Sequence, residues 1–258
     1  MKDFILGILM GIANLLPGIS GGTIAAISGR YEIILKAASD IISFKWNKEA
    51  FKILTSLIVG MGVSIIFLSK ILSFLFEKYP EYSYGIFIGL IIGGLFYLIS
   101  QIEIKQKSNI SIITISFVLT YFLLRFAENL ETSNGNVSMW YLFIGGIIGA
   151  ATMVLPGISG SSMLLIMGIY KPIIDAISNM DFSILIPFAF GVGGGLIFVI
   201  LVLEKLLERF RDQVLSFLIG LTIAGMVIIF PITSKLLTYV FLIVGIFLSK
   251  YLERILNE

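Results

Sequence analysis

Two short runs in this chain carry the residue types from which an anion seat is built. Ser20-Gly21-Gly22-Thr23 and Ser159-Gly160-Ser161-Ser162 each follow Pro-Gly-Ile inside a hydrophobic segment. Proline lacks the N–H that a continuing helix needs, so Pro17 and Pro156 end one helical arm. Gly18 and Gly157 permit a positive φ at the turn. Ser20 and Ser159 then suit the N-cap of a second arm, where a hydroxyl accepts from a backbone N–H two or three residues on. Each second arm starts with unpaired N–H donors at the positive end of a helix dipole, a setting that favours phosphate. The small and hydroxylic residues beyond let a ligand approach the backbone and add O–H donors. Asn14, just before the first break, is a polar group at depth; it either satisfies the hairpin's own backbone or touches ligand. Close helix packing alone accounts for one such run. Its recurrence at equivalent positions of a repeat favours a ligand site.

Other chemistries are poorly served. The chain has no cysteine and no histidine. That removes thiol nucleophiles, disulfides, His/Cys haem or zinc sites and any imidazole base. No acidic cluster sits within the apolar runs, so a membrane phosphatase or phosphotransferase is weakly supported, and no metal, cofactor or catalytic residue is expected. A net charge of +2 is too small to point to nucleic acid.

The elements that must position the two runs are membrane helices. Of 258 residues, 58% are hydrophobic and 13% charged, and the mean hydropathy is +1.04. Several runs reach the ~20 apolar residues that cross a bilayer core. The first stretch begins like a signal peptide, but Asn14 and Pro17 interrupt it, so it reads as structure. Leu16–Asp40 and Leu155–Asn179 are identical at 12 of 25 positions at an offset of 139, including Tyr31 and Tyr170. The likeness continues at an offset of 131, where Ile88-Gly89-Leu90 matches Ile219-Gly220-Leu221. The chain therefore reads as one membrane domain of two repeats, 1–126 and 138–258. Repeat 1 has a broken segment at 4–29 and apolar runs at 53–76, 84–100 and 110–126. Repeat 2 has a broken segment at 138–169 and runs at 183–203, 214–230 and 236–249, and charged connectors separate the runs.

Charge placement orients these parts, because cytoplasmic loops collect Lys and Arg. If both broken segments are re-entrant and the N-terminus is inside, thirteen Lys/Arg fall on inner connectors and three (Lys78, Lys171 and Lys235) on outer ones. If both segments span, the best split is nine to seven. The expectation is thus an all-α polytopic membrane protein with an inverted-topology repeat, each half one re-entrant hairpin plus three transmembrane helices. Both termini are then cytoplasmic, and two hairpin tips meet at mid-membrane, as in inverted-repeat carriers.

Lys70 and Arg125 are the basic residues inside the expected spans, near their outer ends, where they either snorkel or gather an anionic headgroup. Lys171 is placed to join them. Glu32 is either one half of an i,i+4 pair with Lys36 or a titratable group for ion coupling. Gly7/Gly11, Gly85/Gly89/Gly93, Gly145/Gly149 and Gly191/Gly195 have the spacing of helix-packing faces. Residues 30–45 alternate as an amphipathic helix lying at the inner interface.

The string Asn14-x-x-Pro17-Gly-Ile-Ser-Gly-Gly-Thr23, followed by Tyr31-Glu32 and answered by Pro156-Gly-Ile-Ser-Gly-Ser161, resembles the PopT-type polyprenyl-phosphate (undecaprenyl-phosphate) transporter family. That bacterial and archaeal family was long known only as a domain of unknown function, and the likeness covers essentially the whole chain. The resemblance implies a flippase in the prokaryotic cell membrane that returns the lipid carrier from the outer to the cytoplasmic leaflet for cell-envelope synthesis. It implies a polyprenyl-phosphate lipid as partner, seated by Asn14, Ser20, Gly21, Gly22, Thr23, Ser159, Gly160, Ser161 and Ser162. The alternative is a carrier or channel for a small soluble anion such as phosphate. A purely structural membrane subunit leaves the duplicated break unexplained. The oligomeric state, including a homo-oligomer, stays open.

Overall fold

The computed structural model describes residues 1–14, 20–45, 47–128, 138–230 and 235–257. Pro17 and Gly18 lie outside them, and so does the side chain of Lys70. All regular structure among the described residues is helical: α1 (Lys2–Asn14), α2 (Gly21–Ile27), α3 (Tyr31–Ile42), α4 (Lys48–Lys78), α5 (Pro80–Ser100), α6 (Lys107–Glu128), α7 (Met139–Val154), α8 (Gly160–Ile166), α9 (Tyr170–Asn179), α10 (Phe182–Ile229) and α11 (Leu236–Asn257).

Five of these helices contain stretches long and apolar enough to cross a membrane: Lys48–Leu68, Pro80–Ser100, Lys107–Phe126, Phe182–Ile229 and Leu236–Ile255. Their outward faces present large apolar side chains, among them Ile66, Phe67, Phe190, Phe198 and Phe247. Such surface is stable only against lipid. The chain is a polytopic membrane protein.

At 48 residues α10 is far longer than a bilayer core is thick: about 72 Å against roughly 30 Å. Its path breaks at Phe210, where φ −134° and ψ 45° leave the helical region. Two limbs result, each corresponding to one expected apolar run, and the charged stretch Glu204–Arg209 between those runs is itself helical. Tyr79, between α4 and α5, has φ −134° and ψ 51°, and it lies 131 residues before Phe210. In each corner a cation from the preceding residue sits over the ring. Lys78 Nζ is 5.6 Å from the centre of the Tyr79 ring, and the Arg209 guanidinium is 5.3 Å from that of Phe210.

Helix packing also recurs in register. A Cβ on Gly60 would lie 2.3 Å from the Phe4 carbonyl, and one on Gly191 would lie 2.1 Å from the Phe143 carbonyl. Gly7 opposes Gly60, and Gly146 opposes Gly191. Thus α1 packs on α4 as α7 packs on the first limb of α10. Glycines let backbones approach closely where lipid offers no hydrophobic drive. The remaining spans pair crosswise. Gly85, Gly89 and Gly93 of α5 face α11, and Gly220 in the second limb of α10 faces Ile113 and Ser116 of α6. Gly145 and Gly149 are packing positions too, but they meet side chains of Ile169 and Leu164.

α3 is amphipathic as expected. Tyr31, Leu35, Ala37 and Ser39 are buried, and Lys36 is exposed.

Candidate functional site: the paired helix breaks

Residues just after the first break meet the second break. Gly157 has φ +86°, the left-handed region that its position after Pro156 predicts. It is pressed against the second limb of α10: a Cβ there would lie 2.1 Å from the Leu221 carbonyl. Ser20 caps α2 by accepting from Thr23 N at 3.2 Å. Ser159 caps α8 by accepting from Ser162 N at 3.2 Å. Both serines do what their place after the break predicts. The second arms end alike, with Gly29 at φ +74° and Gly168 at φ +68°.

Between the breaks, the first repeat supplies partners for backbone groups that Pro156 frees. Gly157 N–H donates to Thr23 Oγ1 at 2.9 Å. Tyr31 Oη–H donates to the Val154 carbonyl at 3.2 Å. Ser20 Oγ makes a longer contact, 3.5 Å, with the Leu155 carbonyl. A buried carbonyl without a donor is costly, so these bonds hold the two breaks in one arrangement. Burial raises the Tyr31 phenol above its ordinary pKa, which keeps the donating proton in place.

The expected site residues divide into groups. Asn14 Oδ1 accepts from Gly21 N at 2.7 Å, satisfying the hairpin's own backbone. Ser20 and Thr23 are buried, with their oxygens 3.0 Å apart. Every residue of α2 is buried. α8 differs, since none of its residues is. There Ser159 Oγ lies 2.7 Å from Ser162 Oγ and 3.1 Å from Ser161 Oγ, a three-hydroxyl cluster with Ser161 exposed. Gly160 lies against Gly149 and Met153.

A cavity of about 270 Å³ opens beside the first break. Asn14, Gly21, Gly22 and Tyr31 line it together with the apolar Met10, Met61, Met153, Leu196 and Ile200.

The peripheral charges lie elsewhere. Arg125 Nε donates to Tyr121 Oη at 3.3 Å and stacks over that ring. Lys171 pairs with Asp175 at 2.6 Å. Neither lines the cavity. Glu32 pairs across the molecule with Arg211, at 2.8 Å, instead of with Lys36. The Tyr31–Val154 bond and the Glu32–Arg211 pair escaped sequence reasoning. The shared Tyr31/Tyr170 was visible, but its partner lies 123 residues away. Among the described residues no group of three or more Asp or Glu could hold a metal ion.

Residues 10–241 match the VCA0040-like family, described as undecaprenyl phosphate translocase-like. The chain belongs to that family. A polyprenyl-phosphate transporter of Vibrio cholerae serotype O1 (strain ATCC 39315 / El Tor Inaba N16961) is 32% identical over 244 residues, covering 90% of this chain and 78% of the relative. A polyprenyl-phosphate transporter of Staphylococcus aureus (strain NCTC 8325 / PS 47) is 29% identical over 277 residues, covering 99% and 97%. No solved structure matches the chain significantly. Membership agrees with the motifs at Asn14–Thr23 and Pro156–Ser161, both of which fall inside the matched residues.

Proposed function

We propose that the chain translocates a polyprenyl phosphate across the membrane, returning it from the outer to the cytoplasmic leaflet of the prokaryotic cell membrane for cell-envelope synthesis. The observation that carries this reading is the largely apolar cavity beside the first break, whose lining also includes Asn14, Gly21 and Gly22. An amphiphile with an anionic head and a branched hydrocarbon tail fits both kinds of lining. A soluble anion would leave the apolar wall unused. The names of the Vibrio and Staphylococcus relatives support the same class of cargo.

An isolated ion in hydrocarbon would cost on the order of tens of kcal/mol by Born estimates. Hydroxyls and backbone N–H groups at the breaks lower that cost by replacing hydration. Ser161 offers an exposed hydroxyl, backed by those of Ser159 and Ser162, with Gly160 admitting the headgroup to the backbone. Asn14, Gly21 and Gly22 line the cavity, with Ser20 and Thr23 buried behind them. Lys70, Arg125 and Lys171 gather the headgroup at the outer face.

The architecture that serves this is an inverted pair of repeats, 1–126 and 138–258, each a re-entrant hairpin plus three spans, with both termini cytoplasmic. Matching corners at Tyr79 and Phe210, and matching glycine contacts in α1–α4 and α7–α10, support the duplication. Contacts also sort by side. Groups expected inside bond one another: Arg30 with Asp3, Ser39 with Glu204, Arg211 with Glu32 and Gln101. Groups expected outside do likewise, as in Lys235 with Glu81. Were both broken segments to span, Glu32 and Arg211 would lie on opposite faces, so their pairing supports the re-entrant plan.

The test is reconstitution. Purified protein in liposomes should move undecaprenyl phosphate between leaflets, and replacing Ser159, Ser161 and Ser162 together by alanine should slow it at least tenfold. Uptake of inorganic phosphate without lipid movement would replace this reading with the soluble-anion one.

A further inference from the structure

The transport reading leaves open what keeps one side of the site closed. α3 forms a wall of the cavity through Tyr31, Ile34, Leu35 and Ala38. It is tied to α10 on both sides of the Phe210 corner. Before the corner, Ser39 Oγ donates to Glu204 Oε2 at 2.5 Å. Immediately after it, Arg211 Nε donates to the Glu32 carboxylate at 2.9 and 3.2 Å, with a further approach of 2.8 Å from Nη2. The same guanidinium donates to the Gln101 carbonyl at 3.3 Å and to Gln101 Oε1 at 3.4 Å. One side chain therefore joins α3, the C-terminal end of α5 and the corner of α10.

The repeat does not reproduce this bond. At the offset of 131, Arg211 corresponds to Pro80; at the offset of 139, Glu32 corresponds to Lys171. Proline offers no charge, and Lys171 is held inside its own helix by Asp175. Burial follows the same division, with α2, which leads into α3, wholly buried and α8, which leads into α9, only part-buried. Bond and burial both set the α3 side apart from the α9 side. The pair is also half-exposed, at 42% and 39%. A screened pair of this kind is weak, as a contact that must break in each cycle has to be.

We propose that Glu32 and Arg211 form a one-sided latch that closes the inner face of the cavity by fixing α3 to the corner of α10, and that its release lets cargo leave to the cytoplasmic leaflet. This rests on the transport reading, but closure can be read without transport. The chain has no cysteine, so introduced thiols report cleanly. Ala38→Cys on the cavity wall should react slowly with an impermeant thiol reagent at the inner face, and at least fivefold faster when Arg211→Gln is added. Equal labelling rates overturn the latch. In a second arm, Glu32→Cys with Arg211→Cys is bridged by a bis-methanethiosulfonate linker in liposomes containing undecaprenyl phosphate. Bridging should cut lipid movement at least tenfold, and a reductant should reverse the loss. Undiminished movement by the bridged protein overturns the requirement for release. If the wild-type protein itself moves no lipid, the transport reading falls, and the labelling arm still decides whether the contact closes the cavity.

Discussion

Val154 and Gly157 show how few atoms define the break between α7 and α8. Pro156 ends α7, whose last carbonyls then lack helical partners, and the Tyr31 hydroxyl supplies a donor to that of Val154 from another helix. Tyr31→Phe keeps the ring and removes that proton. It should destabilise the protein by about 0.5–1.5 kcal/mol, the net worth of one hydrogen bond, measured as a lowered Tm in detergent. The raised pKa of Tyr31 adds a pH signature. Its contribution is complete below the unfolded value of about 10 and falls away as pH rises toward the folded one, so the stability gap between wild type and Tyr31→Phe should narrow in strong alkali. Gly157→Ala is harsher. Its φ of +86° disfavours a side chain, and the Cβ would press on the Leu221 backbone. Loss of monodisperse protein on size-exclusion chromatography is the expected outcome.

The elements were legible where their signals are local. Break positions, cap serines and glycine faces all follow from chemistry within a few residues. Gly89→Ala should cost about 1–3 kcal/mol as an overpacked contact, because its Cβ would lie 2.0 Å from the Leu242 carbonyl and force α5 from α11. Gly193→Ala, with nothing within 4 Å of the added carbon, should be neutral or stabilising by up to about 1 kcal/mol through helix propensity. Thermal unfolding of the two variants side by side checks both. The corner at Phe210 was less legible. Its repeat partner is marked by Pro80, whereas nothing in Arg209-Phe210-Arg211 breaks a helix locally, so the turn there is set by the packing of the two limbs.

Across the whole molecule, the charge count and the sorted contacts make one topological prediction. In the Cys-free chain, Met139→Cys should react with an impermeant thiol reagent from outside, and Lys105→Cys only from inside. Both positions are exposed. Labelling of both from one face would overturn the inverted plan.

By itself the sequence determined the class, the recurring motif and the place of the second break, because hydropathy, repeat offsets and the chemistry of Pro-Gly-Ile-Ser are properties of neighbouring residues. Tertiary structure decided which groups meet at those breaks. Glu32 had Lys36 within a helical turn, but it pairs with Arg211, 179 residues away. Thr23 met Gly157 and Tyr31 met Val154 only once the two halves came together. Two segments with nearly the same motif also ended up unequally buried, and the Glu32–Arg211 pair has no counterpart at Lys171 and Pro80.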